Sequence, residues 1–132
     1  MNVVVDTCIW VDYFAGRDAA LSDAVDQLLE HALVLITPVI AAELVSGARK
    51  NDQSVRLKAF LGDLALADSS LAHWFRVGEL RARLLSEGIT ISTPDAHIAQ
   101  ATLDQKARLF THDKIFTKLA KTSGLRLFSV DF

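Results

Sequence analysis

Four acidic residues stand where this sequence could put them to chemical use: Asp6, Glu43, Asp95 and Asp113. Asp6 follows the unbroken β-branched run Val3-Val4-Val5. Such a run suits a strand buried on both faces. Asp6 is therefore expected at the carboxyl end of a central strand, where open α/β sheets place their ligand sites. A carboxylate there is costly unless a cation, a metal or a hydrogen-bond donor pairs with it. Glu43 interrupts the apolar segment Val39-Ile40-Ala41-Ala42-Glu43-Leu44-Val45, Asp95 opens an Ala-rich helical segment, and Asp113 follows Arg108-Leu109-Phe110-Thr111. Each also has a plain structural reading. Asp95 in a first turn meets the helix dipole, Asp113 suits an N-cap, and Glu43 suits a solvated helix face. Four carboxylates in one cleft repel each other and call for a cation. Hard oxygen ligands select Mg²⁺ or Mn²⁺, and the chain has no Cys-x-x-Cys or His-x-x-x-His to hold zinc. An Mg²⁺ site with open positions suits phosphate chemistry, in which the ion activates water and stabilises a leaving oxygen.

The elements that must position these acids are legible from periodicity. After the first strand, Cys8 to Phe14 reads as a short helical turn, and Leu21, Ala24, Val25, Leu28 and Leu29 predict a helix from about Ala20 to His31. Leu33 to Ile36 reads as a strand. Thr37-Pro38 then starts a helix running to Gly47. Asn51 to Asp63 is a further helix, and Leu64 to Ala67 a short edge strand. Ser69-Ser70 opens the longest helix, to about Glu87, with Leu71, Trp74, Phe75, Gly78, Ala82 and Leu85 on its apolar face. Ser92-Thr93-Pro94-Asp95 repeats the Thr-Pro start signal for a helix to about Lys106. Strands at Ala107 to Thr111 and Leu125 to Val130 flank a helix capped by Asp113 and stopped by Gly124. This alternation predicts an α/β fold, a three-layer sandwich around a mainly parallel sheet, as one domain over residues 1–132.

Composition narrows the function class. The 132 residues are 51% hydrophobic, enough for one full core. No apolar run reaches the roughly 18 residues of a membrane span, and the N-terminus lacks the layout of a signal peptide. The single cysteine, Cys8, excludes an internal disulfide and fits the reducing cytoplasm. A formal net charge of -2 argues against coating nucleic acid by bulk charge, though not against local basic patches.

Taken together the motifs resemble those of PIN-domain ribonucleases, and more narrowly the VapC toxins of bacterial and archaeal toxin–antitoxin pairs. The resemblance rests on Val5-Asp6-Thr7 followed by Trp10, Phe14 and Gly16; on Glu43-Leu44-Val45-Ser46-Gly47; on Pro94-Asp95-Ala96-His97-Ile98-Ala99; and on Thr111-His112-Asp113 with Phe116. It implies Mg²⁺- or Mn²⁺-dependent endonucleolytic cleavage of RNA, with Asp6, Glu43, Asp95 and Asp113 as catalytic, metal-binding acids. It also implies a homodimer held in check by a small cognate antitoxin. Two departures stand out. Ile115 occupies a place where the family often has a further acid, and Cys8 one where relatives often have Ser.

Thr7 and Thr111 carry hydroxyls beside these acids and are candidates to orient a carboxylate or a metal-bound water, against a plain role in capping strand ends. Asp12 reads as surface or supporting. His97 and His112 flank site acids but have no required role. Lys114, Lys118 and Lys121 recur at helical spacing beside Asp113, and Arg49-Lys50 follows Gly47. Lys114, Lys118 and Arg49 are candidate RNA-phosphate contacts, with a solvated face as the ordinary alternative. The helices at Ala20 to His31 and Asn51 to Leu64 are candidate interaction seams. Two other functions fit the residues less well. A phosphatase- or receiver-like domain would need a different acid motif at the first strand. A non-catalytic RNA- or partner-binding module would have no need of four acids.

Overall fold

A computed structural model describes residues 1–67 and 69–130. Its chain order is β1 (Asn2–Val5), α1 (Thr7–Ala15), α2 (Ala19–His31), β2 (Leu33–Ile36), α3 (Pro38–Gly47), α4 (Asn51–Gly62), β3 (Ala65–Leu66), α5 (Leu71–Ser86), α6 (Thr93–Asp104), β4 (Arg108–Phe110) and α7 (Lys114–Ala120). The sheet order is β3-β2-β1-β4, with every pairing parallel. Val4 pairs with Leu35 on one side and Leu109 on the other. Val3, Val4 and Val5 are fully buried, as a β-branched run in the middle of a two-sided sheet should be.

The strand order reverses at β1. The path runs outward through β2 and β3, then returns to place β4 on the opposite flank of β1. The crevice beyond the carboxyl ends of β1 and β4 is thus the switch point at which such sheets bind ligands. The core fills the space beneath it, with Ile9, Trp10, Ile40, Leu109, Phe116 and Leu119 all fully enclosed. The α/β architecture expected from the sequence is the one observed.

The helix starts follow local chemistry. Thr37 Oγ1 accepts from Ile40 N at 3.2 Å, with Pro38 in the first turn. At α6 the cap is Ser92, whose Oγ accepts from Asp95 N at 3.2 Å, so the start lies one residue earlier than the Thr93-Pro94 reading.

Two expectations are corrected. The strand at Leu125 to Val130 is reduced to a single parallel bridge between Leu109 and Leu127. Leu109 N donates to Arg126 O at 2.9 Å and Phe128 N to Leu109 O at 2.8 Å. β4 is only three residues long and offers little ladder to extend. The apolar face assigned to α5 is also reversed. His73, Val77, Leu80 and Leu84 are its buried residues, while Leu71, Phe75 and Leu85 lie 68%, 61% and 64% exposed.

The physical cause of that reversal is a polar cluster between α5 and α6. His73 and His97 are both fully buried, with His73 Nε2 2.7 Å from His97 Nδ1. His73 Nδ1 donates to Asp104 Oδ2 at 3.1 Å. Arg76 Nε donates to Asp104 Oδ1 and Oδ2 at 3.1 and 3.2 Å, and its Nη2 to Oδ2 at 2.9 Å. Gln100 Nε2 donates to Oδ1 at 2.8 Å. Trp74 stacks on the His97 ring, centroids 4.6 Å apart and planes within 11°. A satisfied histidine can occupy a core position that hydropathy alone assigns to leucine.

Candidate active site

Asp6 ends β1 and caps α1. Its Oδ1 accepts from Thr7 N at 2.8 Å and its Oδ2 from Thr111 Oγ1 at 2.7 Å. Its backbone N–H donates to Phe110 O at 2.9 Å, which ties it to the end of β4. Only 6% of Asp6 is exposed. Thr111 performs a second task by accepting from Asp113 N at 3.0 Å. One hydroxyl therefore fixes the spacing of two acids that are 107 residues apart in sequence. Asp113 caps α7 through Oδ1, which accepts from Ile115 N at 3.1 Å. The capping role foreseen for it is real, and it occupies the same cleft nonetheless.

Glu43 projects from α3, where Thr7 Oγ1 donates to its Oε1 at 3.2 Å. Asp95 sits in the first turn of α6. A cleft of about 480 Å³ is lined by Asp6, Thr7, Cys8, Glu43, Asp95, Ile98, His112 and Asp113. The structure thus brings together all four acids singled out in the sequence, with Thr7 and Thr111 bonded to three of them. Lys114, Lys118 and Arg49 do not line the cleft. Glu43 also borders a more apolar groove of about 590 Å³ between α1, α3 and α4, walled by Val11, Phe14, Leu57 and Phe60.

Three further side chains take contacts that the sequence did not signal. Cys8 Sγ lies 3.7 Å from Asp6 Oδ2 and 3.7 Å from Thr111 Oγ1. Burial pushes its thiol up, and the Asp6 charge adds to the effect against opposing hydrogen bonds from His112 and Thr111. Cys8 is therefore a neutral thiol at pH 7, a poor soft-metal ligand or nucleophile. His112 pairs with Asp12, Nε2 to Oδ2 at 3.5 Å, across the cleft rim. His97 faces α5 instead. Burial and the neighbouring His73 push it down to about 4, so it is neutral at pH 7.

The electrostatics fit a cation site. Burial pushes Glu43 up, and the charges of Asp6 and Asp95 add to this against the Thr7 hydrogen bond. Burial also raises Asp95, reinforced by Asp113 and Asp6 against the Ser92 hydrogen bond. An acid raised in the folded state binds its proton more tightly there than in the unfolded chain. Ionising it therefore costs stability, and the cost grows as pH rises above the usual carboxylate range. Glu43→Gln should accordingly gain stability relative to the parent chain between pH 4 and pH 7 when no divalent ion is present. Urea denaturation at the two pH values measures this, and an identical difference at both would contradict it.

Among the described residues no three His, Cys, Asp or Glu side chains form a closed metal cage. The donor set still fits a hard divalent ion that keeps several waters and takes only one or two carboxylates directly, the usual habit of Mg²⁺.

A family model described as "PIN domain" matches residues 3–122. The chain is 29% identical over 117 residues to Ribonuclease VapC2 of Rickettsia felis, covering 86% of this chain and 87% of that protein. It is 28% identical over 128 residues to Ribonuclease VapC11 of Mycobacterium tuberculosis, covering 94% and 96%. Among solved structures it resembles a chain of VapBC2 from Rickettsia felis bound to a promoter DNA fragment. That match has a TM-score of 0.81 and 26% identity and covers 99% of this chain and 100% of that one.

Proposed function

The chain belongs to the PIN domain family, and from that premise we propose that it is a divalent-metal-dependent endoribonuclease acting as the toxin of a toxin–antitoxin pair. The single observation that carries this reading is the convergence of Asp6, Glu43, Asp95 and Asp113 on one cleft at the switch point of a parallel sheet. Asp6, Glu43, Asp95 and Asp113 would hold Mg²⁺, with Mn²⁺ as a substitute. When bound, the ion supplies activated water and offsets charge on the scissile phosphate.

The protein's own residues do the positioning. Thr111 holds Asp6 and the backbone of Asp113, and the Thr7 hydroxyl holds Glu43. Preset carboxylates spend little free energy on reorganisation when charge develops on the phosphate. Lys114, Lys118 and Arg49 would lie against more distant RNA phosphates, outside the cleft itself. Attack by water with cleavage of the P–O3′ bond leaves a 5′-phosphate and a 3′-hydroxyl. The name ribonuclease carried by the relatives supports RNA as substrate, and the toxin–antitoxin reading adds a small inhibitory antitoxin and a homodimeric assembly. Among the described residues no helix is long and apolar enough to cross a membrane.

The test is cleavage of a folded RNA by the purified chain. EDTA should abolish cleavage, added Mn²⁺ or Mg²⁺ should restore it, and end-labelling should find 5′-phosphate termini. Cleavage that survives EDTA, or that yields 2′,3′-cyclic phosphate, would overturn the reading.

A further inference from the structure

The groove between α1, α3 and α4 carries an exposed aromatic face. Phe14 is 47% exposed, yet it is fixed from behind. Its ring stacks on the fully buried Trp10, with centroids 5.7 Å apart and planes within 17°. Phe60 closes the corner edge-on, 5.6 Å from Phe14 and 5.5 Å from Trp10. Phe14 and Phe60 are 46 residues apart, so no local pattern announces this platform. A backed aromatic ring left open to solvent marks a binding surface.

The groove is continuous with the catalytic cleft, because Glu43 lines both. Gly47, one helical turn further along α3, also lines the groove, and a Cβ built there meets nothing within 4 Å. Four residues of helix rise about 6 Å, a distance that one sugar–phosphate repeat spans. A nucleotide next to the scissile phosphate therefore reaches the groove.

The charge of the rim says what enters. Residues 48–60 carry Arg49, Lys50, Arg56 and Lys58 against the single acid Asp52, in a chain of net charge -2. Gln53 and Arg56 line the groove on the same face of α4 as Phe60. Arg56 meets Asp52 at 3.5 Å in an exposed pair, which holds it weakly. Both side chains are of the kind that hydrogen-bond base edges. A protein segment also fills an apolar groove, but a basic rim selects a polyanion, and the shared Glu43 wall selects the polyanion that the cleft cuts. An aromatic face with hydrogen-bonding groups at its edge suits a base that has left its stack.

We infer that this groove binds an unpaired nucleobase of the RNA, stacked on Phe14 and bonded at its edge by Gln53 and Arg56, next to the phosphate being cut. The inference rests on the ribonuclease reading and adds to it a requirement for single-stranded RNA at the cut.

The experiment compares the purified full chain with Phe14→Leu and Phe14→Trp on single-stranded RNA of mixed sequence. Leucine keeps an apolar side chain against Trp10 but offers no π face, so Phe14→Leu should fold, with unchanged far-UV circular dichroism. Its KM should rise by about tenfold, the scale on which a base–aromatic stack contributes. Its kcat should be unchanged, because the stack is the same in the ground and transition states. Phe14→Trp should keep the parental KM. In an Asp6→Asn background, to hold the RNA uncut, its added fluorescence should be quenched by the single strand and not by the same sequence annealed to its complement. Arg56→Glu, at an exposed position, should also raise KM, and more so at low salt. Equal KM in the parent, Phe14→Leu and Arg56→Glu, or no quenching of Phe14→Trp, overturns the inference and leaves the groove to a protein partner, the antitoxin included. RNA cleavage by the parent would then show the ribonuclease reading standing while this one fails. Quenching without any cleavage by the parent would show the reverse.

Discussion

Asp6→Asn is expected to reduce RNA cleavage by more than a hundredfold while leaving the chain folded. Loss of a mere supporting contact around a metal ligand costs about ten- to a hundredfold in affinity or activity, so loss of a ligand charge should cost more. Asn is the right replacement because its side-chain oxygen still accepts from Thr7 N, which preserves the cap on α1 and the bond at 2.8 Å. The Thr111 hydroxyl can likewise still find a partner at that position. What disappears is one negative charge in a cleft shared with Glu43, Asp95 and Asp113. Two measurements separate chemistry from folding. Cleavage should fall by more than a hundredfold at fixed Mg²⁺, and the thermal midpoint without metal should stay within a few degrees of the parent. The stabilisation that Mn²⁺ gives the parent, which follows from binding the folded state alone, should shrink in the variant. An Asp6→Asn protein that cleaves within tenfold of the parent would remove Asp6 from the machinery.

The second large effect lies away from the cleft. Asp104→Ala should destabilise the fold by about 2 kcal/mol, because it leaves the buried His73 Nδ1 without its acceptor, while the half-exposed Arg76 can turn to water. Asp104 accepts from Arg76, Gln100 and His73, and the His73 ring is fully buried with its Nδ1 aimed at the missing carboxylate. Burial on its own raises Asp104. The hydrogen bonds from Arg76, Gln100 and His73 outweigh it and hold the acid below its usual value. The stability contributed by a depressed acid is present above its unfolded pKa and is lost as pH falls through the folded one. The gap between parent and variant in urea should therefore be full at pH 7 and narrow below about pH 4, the usual Asp range. Asp104→Asn, which keeps an acceptor for His73, should recover part of the loss. A cost under about 0.5 kcal/mol for Asp104→Ala would mean that the cluster contributes no more than an exposed ion pair.

These two acids mark what was and was not legible in the sequence. Asp6 was readable because Val3-Val4-Val5 suits a two-sided buried strand, and a carboxylate at its end needs an explanation. Glu43 stood out against its apolar neighbours for the same reason. Thr7 and Thr111 were visible as neighbours of those acids. That a single Thr111 hydroxyl joins Asp6 to Asp113 depends on β1 and β4 being adjacent, which no local pattern encodes. Asp104 was invisible because two of its partners lie on another helix, 28 and 31 residues away. The same blindness reversed α5. Periodicity finds both apolar arcs, but the one that faces inward is decided by His73, a residue whose burial depends on Asp104. The tail after Gly124 has the composition of a strand, but only Leu127 bridges a neighbour because β4 is so short.

That tail has a further consequence. A sheet rim with unpaired amides and carbonyls invites other chains to add strands, the first step towards fibrils. Here the Arg126 carbonyl and the Phe128 amide occupy Leu109 on one rim, and the other rim ends in a strand of two residues. Polymerisation through either margin finds almost no template, so the chain can reach high concentration without seeding deposits of itself.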